Sequence, residues 1–318
     1  MDTILVADGI YAGAGNSGLN FGGRRGILLH SENGPRYTII DCQGSVTERR
    51  RGFTFDNGED STFVVDGFTI KHGYGEVFMA TACGGGMLFD QSSPTIRNCV
   101  FAGNSAVMGG AIFTRINSPK LINCTFVGNS ANYGAALMSY DDSAPVLANC
   151  IIAFNQGSYP AFCLEFGTVT TVCSDVYGNT HGNWVGCLAG QEGVDGNFSA
   201  DPLFCNVGIG DVGLVDESSP CTPANNDCAV LIGALNVGCT CDYGTVVGDV
   251  NADDVLDPVD VAYVVSFVYK QQDSRLPFAN CPYEAGDVDC SGLVDPLDVA
   301  YYVNAVYQAQ NAFCDPCA

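Results

Sequence analysis

Between about residues 85 and 165 the chain repeats itself with a period of 25 residues, and no other feature narrows its possible folds so far. Ser93-Pro-Thr-Ile-Arg-Asn-Cys-Val-Phe-Ala-Gly-Asn-Ser105 aligns with Ser118-Pro-Lys-Leu-Ile-Asn-Cys-Thr-Phe-Val-Gly-Asn-Ser130. After a one-residue insertion both align with Ala144-Pro-Val-Leu-Ala-Asn-Cys-Ile-Ile-Ala-Phe-Asn155. The other half of each unit aligns as Gly85-Gly-Met-Leu-Phe-Asp90, Gly110-Ala-Ile-Phe-Thr-Arg115 and Ala135-Ala-Leu-Met-Ser-Tyr140. Each unit holds short alternating strands punctuated by Gly, Asn and Ser, with no helical stretch between them. A unit this short cannot bury its own apolar face, so copies must stack.

Stacked rungs lie about 4.8 Å apart and set equivalent side chains over one another. Cys99, Cys124 and Cys150 should then form one column and Asn98, Asn123 and Asn149 its neighbour, the asparagines satisfying backbone amides at the bends. The pattern resembles the right-handed parallel β-helix of the pectate-lyase-like superfamily, in a form common among secreted bacterial proteins. Earlier segments fit as irregular rungs: Gly26-Ile-Leu-Leu-His30, Tyr37-Thr-Ile-Ile-Asp-Cys42, Gly52-Phe-Thr-Phe55 and Val64-Val-Asp-Gly-Phe-Thr-Ile70. Ala200-Asp-Pro-Leu-Phe-Cys205, Ser219-Pro-Cys221 and Ile232-Gly-Ala-Leu235 fit as terminal rungs or a cap. The resemblance implies a mainly β solenoid over residues 1–242.

A second, smaller pattern occupies residues 243–318. Asp249-Val-Asn251-Ala-Asp253-Asp-Val255-Leu-Asp257-Pro-Val-Asp260 and Asp287-Val-Asp289-Cys-Ser291-Gly-Leu293-Val-Asp295-Pro-Leu-Asp298 place oxygen side chains at positions 1, 3, 5, 9 and 12 of two twelve-residue loops. Val255 and Leu293 offer a backbone carbonyl at position 7, which completes a set suited to calcium. Each loop runs into an apolar segment with three- and four-residue spacing, so a helix is predicted after each. The duplicated loop-helix pair resembles the type I dockerin module of cellulosomal proteins, with two bound calcium ions. That resemblance implies docking to a cohesin-like partner. Two positions depart from the pattern: Asp254 stands where the first loop's sharp turn favours glycine, and Pro258-Val259 and Pro296-Leu297 stand where dockerins select their partner.

The formal charge of -23 over 318 residues leaves no basic surface able to neutralise phosphates, which excludes nucleic-acid binding. Arg49-Arg50-Arg51 is the only basic run and reads as a solvated turn. Seventeen cysteines in an acidic chain point to an oxidising, extracellular compartment. Local pairs such as Cys221 with Cys228, or Cys281 or Cys290 with Cys314 or Cys317, are compatible with the spacing, which alone does not give the connectivity. No uninterrupted apolar window is long enough to span a membrane. The chain opens Met1-Asp-Thr-Ile-Leu-Val-Ala-Asp-Gly as a strand and turn, with neither a signal peptide nor the amphipathic helix that usually covers the first rung in the superfamily. We therefore expect a secretion signal to have been removed, and the first rung to be available for head-to-tail contact with another copy.

For catalysis, the superfamily resemblance implies carboxylates and a base on the outer face of stacked strands, acting on an acidic polysaccharide. The column Asp90, Arg115, Tyr140, with Asp141 and Asp142 beside it, is the best outward candidate. The blander expectation is an ordinary cross-strand ion pair. Among the three histidines, His30 and His181 stand alone in sequence while His72 follows Lys71. The function expected from the sequence is a secreted scaffold or adhesive protein docked through its calcium module. The competing expectation is a dockerin-bearing polysaccharide lyase or glycoside hydrolase.

Overall fold

The computed structural model describes residues 2–207, 210–238 and Val299. All twelve loop positions from Asp249 to Asp298, and cysteines 239 onward, lie outside the described residues. Contact between residues divides the chain into two units, 1–203 with 216–237 and 204–215 with 238–318. Of the second unit, the described part is an antiparallel pair of strands, Phe204–Asn206 with Asp211–Leu214.

The first unit is a parallel solenoid of about seven turns. Sheet A joins Asp2–Val6, Ile27–Ser31, Val64–Asp66, Thr95–Arg97, Lys120–Ile122, Val146–Ala148 and Thr170–Val172 in that order. Sheet B follows one corner later in every turn, with Gly9–Ala12, Thr38–Asp41, Thr69–Lys71, Val100–Ala102, Thr125–Val127, Ile151–Ala153 and Asp175–Tyr177. Sheet C holds Phe53–Phe55, Met87–Asp90, Ile112–Arg115, Leu137–Tyr140 and Ala161–Leu164. The register is the one the repeat demands: Val100 pairs with Thr125 and Thr125 with Ile151, while Asp90 pairs with Arg115 and Arg115 with Tyr140.

Like lies on like inside. The Phe101 and Phe126 rings stack with centroids 4.9 Å apart and planes 4° from parallel, and Ile70 and Ile152 extend that column. Burial of such columns is the main favourable term, at about 25 cal/mol per Å² of apolar surface. One set of polar side chains enters the interior as a stack that bonds to itself. Asn104, Asn129, Asn155 and Asn179 form a buried ladder, in which Oδ1 of each of the last three accepts from the backbone N–H and Nδ2 of the asparagine one turn earlier, while that of Asn104 accepts from Gly73 N–H. Each Nδ2 also donates to a backbone carbonyl of that earlier turn or its predecessor, those of Ile70, Phe101, Phe126 and Ile152. The asparagines expected to satisfy the bends, Asn98, Asn123 and Asn149, have a different role. They take the left-handed conformation (φ 52°, 50° and 55°) that turns sheet A into sheet B, a conformation asparagine tolerates better than most residues.

Glycine is compulsory at one further corner. A side chain on Gly84, Gly109 or Gly134 would in each case stand 2.2 Å from the carbonyl oxygen of Met87, Ile112 or Leu137, and all three have φ near +60°. These turns fold a fourth set of strands, including Thr81–Cys83, Ser105–Met108 and Ser130–Tyr133, back over the outside of sheet C. Cys83, Leu88, Phe113 and Met138 form a second apolar cluster, with Phe78, Met108, Tyr140 and Phe162 at its rim. Both faces of sheet C are therefore covered, which accounts for its nearly continuous apolar runs.

The last turn is closed. Trp184, Cys187 and Leu188 pack against the core beyond sheet C, and Cys187 is bonded to Cys163. Cys173 is bonded to Cys228, so the local Cys221–Cys228 pair compatible with the spacing does not form. The reason is the loop 219–234, which returns to the solenoid: Gly233 N–H donates to Asn149 O, Ala234 N–H to Thr125 Oγ1, and Asn123 Nδ2 to Leu231 O. That path sets Cys228 over Cys173 and buries Cys221 elsewhere.

Replacing Asn129 by Ala leaves the backbone N–H of Asn104 and one hydrogen of its Nδ2 buried without partners. The expected loss is roughly 3 kcal/mol or more in a urea titration, against less than about 1 kcal/mol for an exposed asparagine such as Asn132. Peptide mapping without reduction should recover Cys163 linked to Cys187 and Cys173 linked to Cys228.

Candidate functional site

Polar groups on the outside gather into three clusters, each built by side chains from neighbouring turns. In the first, Asp90, Arg115 and Tyr140 stand in register on sheet C as the repeat predicts. Arg115 donates from Nη1 to Asp90 Oδ1 at 2.8 Å and from Nε to Asp141 Oδ2 at 3.1 Å. Its guanidinium is held between two carboxylates. Tyr140 stacks on Phe113, with ring centroids 6.1 Å apart. Asp142 is exposed, and its backbone N–H is spent on Glu165 O. The arrangement forms a cross-rung ion-pair network.

The second cluster centres on Asp66, which is buried on sheet A. Arg97 donates to its Oδ2 from Nε at 2.9 Å and Nη2 at 2.8 Å, Asn98 donates to its Oδ1 at 2.7 Å, and His30 Nδ1 stands 3.4 Å away. His30, alone in sequence, is thus beside a carboxylate that lies 36 residues further along the chain. His181 bonds through Nδ1 to the Gly157 carbonyl.

The third cluster is the one with chemical capacity. Asp41 at the end of its sheet B strand receives His72 Nδ1 at 3.1 Å, with Lys71 Nζ at 3.9 Å. Strand register makes this meeting unavoidable, since Asp41 pairs with Lys71. His72 follows in the left-handed conformation (φ 53°), and Gly103 and Gly128 take the same corner position on the next two turns. A side chain added at Gly103 would stand 3.5 Å from His72 Cδ2, so the glycine leaves the edge of the imidazole open. A carboxylate on Nδ1 fixes the tautomer and leaves Nε2 free to move a proton. Asp41 was missed as a site residue because 30 residues separate it from Lys71. The available signal was the alignment of Tyr37-Thr-Ile-Ile-Asp-Cys42 over the segment that ends in Lys71-His72.

The thiols are placed for inertness. Burial pushes Cys42 up to about 12, and Cys83 up to about 11 against the lowering effect of Arg51. Cys99 and Cys124 are raised well above the usual thiol range by the same cause. These cysteines pack as small apolar residues and are not nucleophiles. Among the described residues no group of three or more His, Cys, Asp or Glu side chains is placed to hold a metal ion, and no helix is long and apolar enough to cross a membrane.

With this geometry in view, the class is clear: an in-register parallel β-solenoid whose turns carry polar clusters outside and self-bonded stacks inside. The family model described as the right-handed β-helix region matches residues 25–198, and the chain belongs to that family. No curated protein matches the chain in sequence.

Changing Arg115 to Met keeps the aliphatic stem and removes the charge. We expect a loss of no more than about 1 kcal/mol in chemical denaturation, as for partly exposed pairs.

Proposed function

We propose that the protein is a secreted scaffold or adhesive stalk. Its β-helix supplies a rigid body, and residues 243–318 supply a dockerin-like, two-calcium module that attaches this body to a cohesin-like or surface partner. The observation that carries the reading is the self-contained outer face. Arg97 and Arg115 are neutralised by carboxylates on neighbouring turns, and Tyr140 is held against Phe113. Two disulfides closing the last turn support an oxidising, extracellular setting.

In the module, Asp249, Asn251, Asp253, Asp257 and Asp260, with Asp287, Asp289, Ser291, Asp295 and Asp298, would hold the ions, and the carbonyls of Val255 and Leu293 would complete the sets. Calcium acts here by making folding of the module depend on the ion. At a thousandfold excess over its dissociation constant a bound ion adds about 4 kcal/mol. Melting of the full chain in calcium should therefore show a transition that moves down in chelator, and the double variant Asp260→Ala, Asp298→Ala should lack that shift. Identical melting of wild type in calcium and chelator would remove the module from the proposal.

One observation favours a second reading, a polysaccharide lyase or hydrolase carried by the same module. The Asp41–His72 pair with Lys71 beside it has the components for proton transfer next to a uronate carboxylate. A screen of acidic polysaccharides followed by unsaturated-product absorbance and reducing-end release decides between the two. The scaffold reading expects no turnover. Turnover abolished by His72→Ala, with the fold intact by circular dichroism, would establish the enzyme.

A further inference from the structure

The last strand of sheet B carries an acid where its neighbours carry apolar or hydroxyl side chains. Asp175 stacks on Ile151, which stacks on Thr125 and Val100, and it is fully buried. Its Oδ1 accepts from the Ala200 backbone N–H at 3.1 Å, and its Oδ2 accepts from the Cys221 thiol at 3.6 Å. The charged or titratable groups facing it are Cys221 from the returning loop, Asp201 from the segment below, and the buried Cys150 of the turn before. None is a cation, and no lysine or arginine occurs anywhere from residue 121 to residue 238. A buried carboxyl in that company is pushed toward its neutral form.

The loop above it is bonded mainly within itself: Thr222 Oγ1 and Asn225 Nδ2 donate to the Glu217 and Ser219 carbonyls, Asn226 Nδ2 donates to those of Thr222 and Val230, and Ile232 N–H donates to Cys221 O. Its side-chain bonds outward run from Ser219 Oγ to Pro202 O and from the Cys221 thiol to Asp175. Further along, the chain is held by Leu231, Gly233 and Ala234 and by Cys228, whose sulfur approaches Gly196 so closely that a side chain there would lie 2.2 Å from it. We propose that Asp175, Ala200 and Cys221 form a proton-operated latch: the neutral acid holds the segment 219–227 on the last turn, ionisation loosens it, and the Cys173–Cys228 disulfide stops the opening at residue 228.

The direction follows from burial. Desolvation raises Asp175 to about 7, against the lowering effects of the Ala200 N–H and the Cys221 thiol, while an exposed aspartate stays near 3.8. Between those two values the closed loop retains a proton that the open loop has lost, so the closed form weakens as pH rises from about 4 to about 7 and changes little above. A shift of this size sets a ceiling on the order of a thousandfold in the ratio of open to closed forms.

Hydrogen exchange of the full chain, corrected for intrinsic rates, tests the latch on peptides covering residues 216–227. Wild type should lose at least about tenfold in protection between pH 5 and pH 8, while peptides covering the asparagine ladder at 104–155 stay unchanged. Asp175→Asn mimics the neutral acid and should keep the loop protected at both values. Equal protection of wild type at pH 5 and pH 8 overturns the proposal. Where Asp175→Asn fails to fold, Cys221→Ala serves instead. Losing the thiol donor destabilises the carboxylate, so protection should level off at a higher pH than in wild type, and an unmoved profile overturns the latch equally.

Discussion

The described turns of the solenoid answer to one constraint: a residue must be compatible with whatever lies directly above and below it, one strand spacing away. Parallel in-register pairing fixes that spacing, and the interior obeys it with identical or complementary partners. Phenylalanines at 101 and 126 can stack face to face because the rung spacing suits two rings. Asparagines at 104, 129, 155 and 179 can be buried because an amide is both donor and acceptor, so a column of amides leaves few unmet groups. A column of serines or aspartates would not close in the same way.

The same constraint governs charge. A like-charged column is costly, so arginine on one turn sits between acids on the adjacent turns, as Arg115 does between Asp90 and Asp141. The solenoid places all its lysines and arginines at or before Lys120. Beyond the reach of Arg115 an acid must find solvent, an uncharged hydrogen-bond donor or a proton, and Asp175, which is buried, has only the last two.

Much of the solenoid was legible from the repeat, because a column is a direct image of sequence spacing. The sequence alignment alone sets Asp90 over Arg115 and Tyr140, and Cys99 over Cys124 and Cys150. What the spacing could not convey was which of two asparagine columns turns inward. Asn98 and Asn104 recur with the same period, and only the left-handed corner at Asn98 separates their roles. Nor could it convey meetings outside the regular repeat. Asp41 with His72 and Cys173 with Cys228 depend on irregular turn lengths and on the path of a returning loop, which the period does not encode. The strands folded over sheet C left a trace, the unbroken apolar run Met87-Leu-Phe89, which a sheet with one exposed face would not carry.

The bond between Cys173 and Cys228 also determines how the solenoid carries tension. A pull applied beyond residue 238 would peel the contacts of Ala234, Gly233 and Leu231 in turn and then arrive at Cys228. From there the covalent path leads straight to Cys173 and into the body of the solenoid. The stretch between the two cysteines, which are 55 positions apart, hangs outside the line of force and holds its length in reserve. Under load the closed end of the solenoid is thus a slack loop beside a taut one, and reduction of a single bond would convert it into extension.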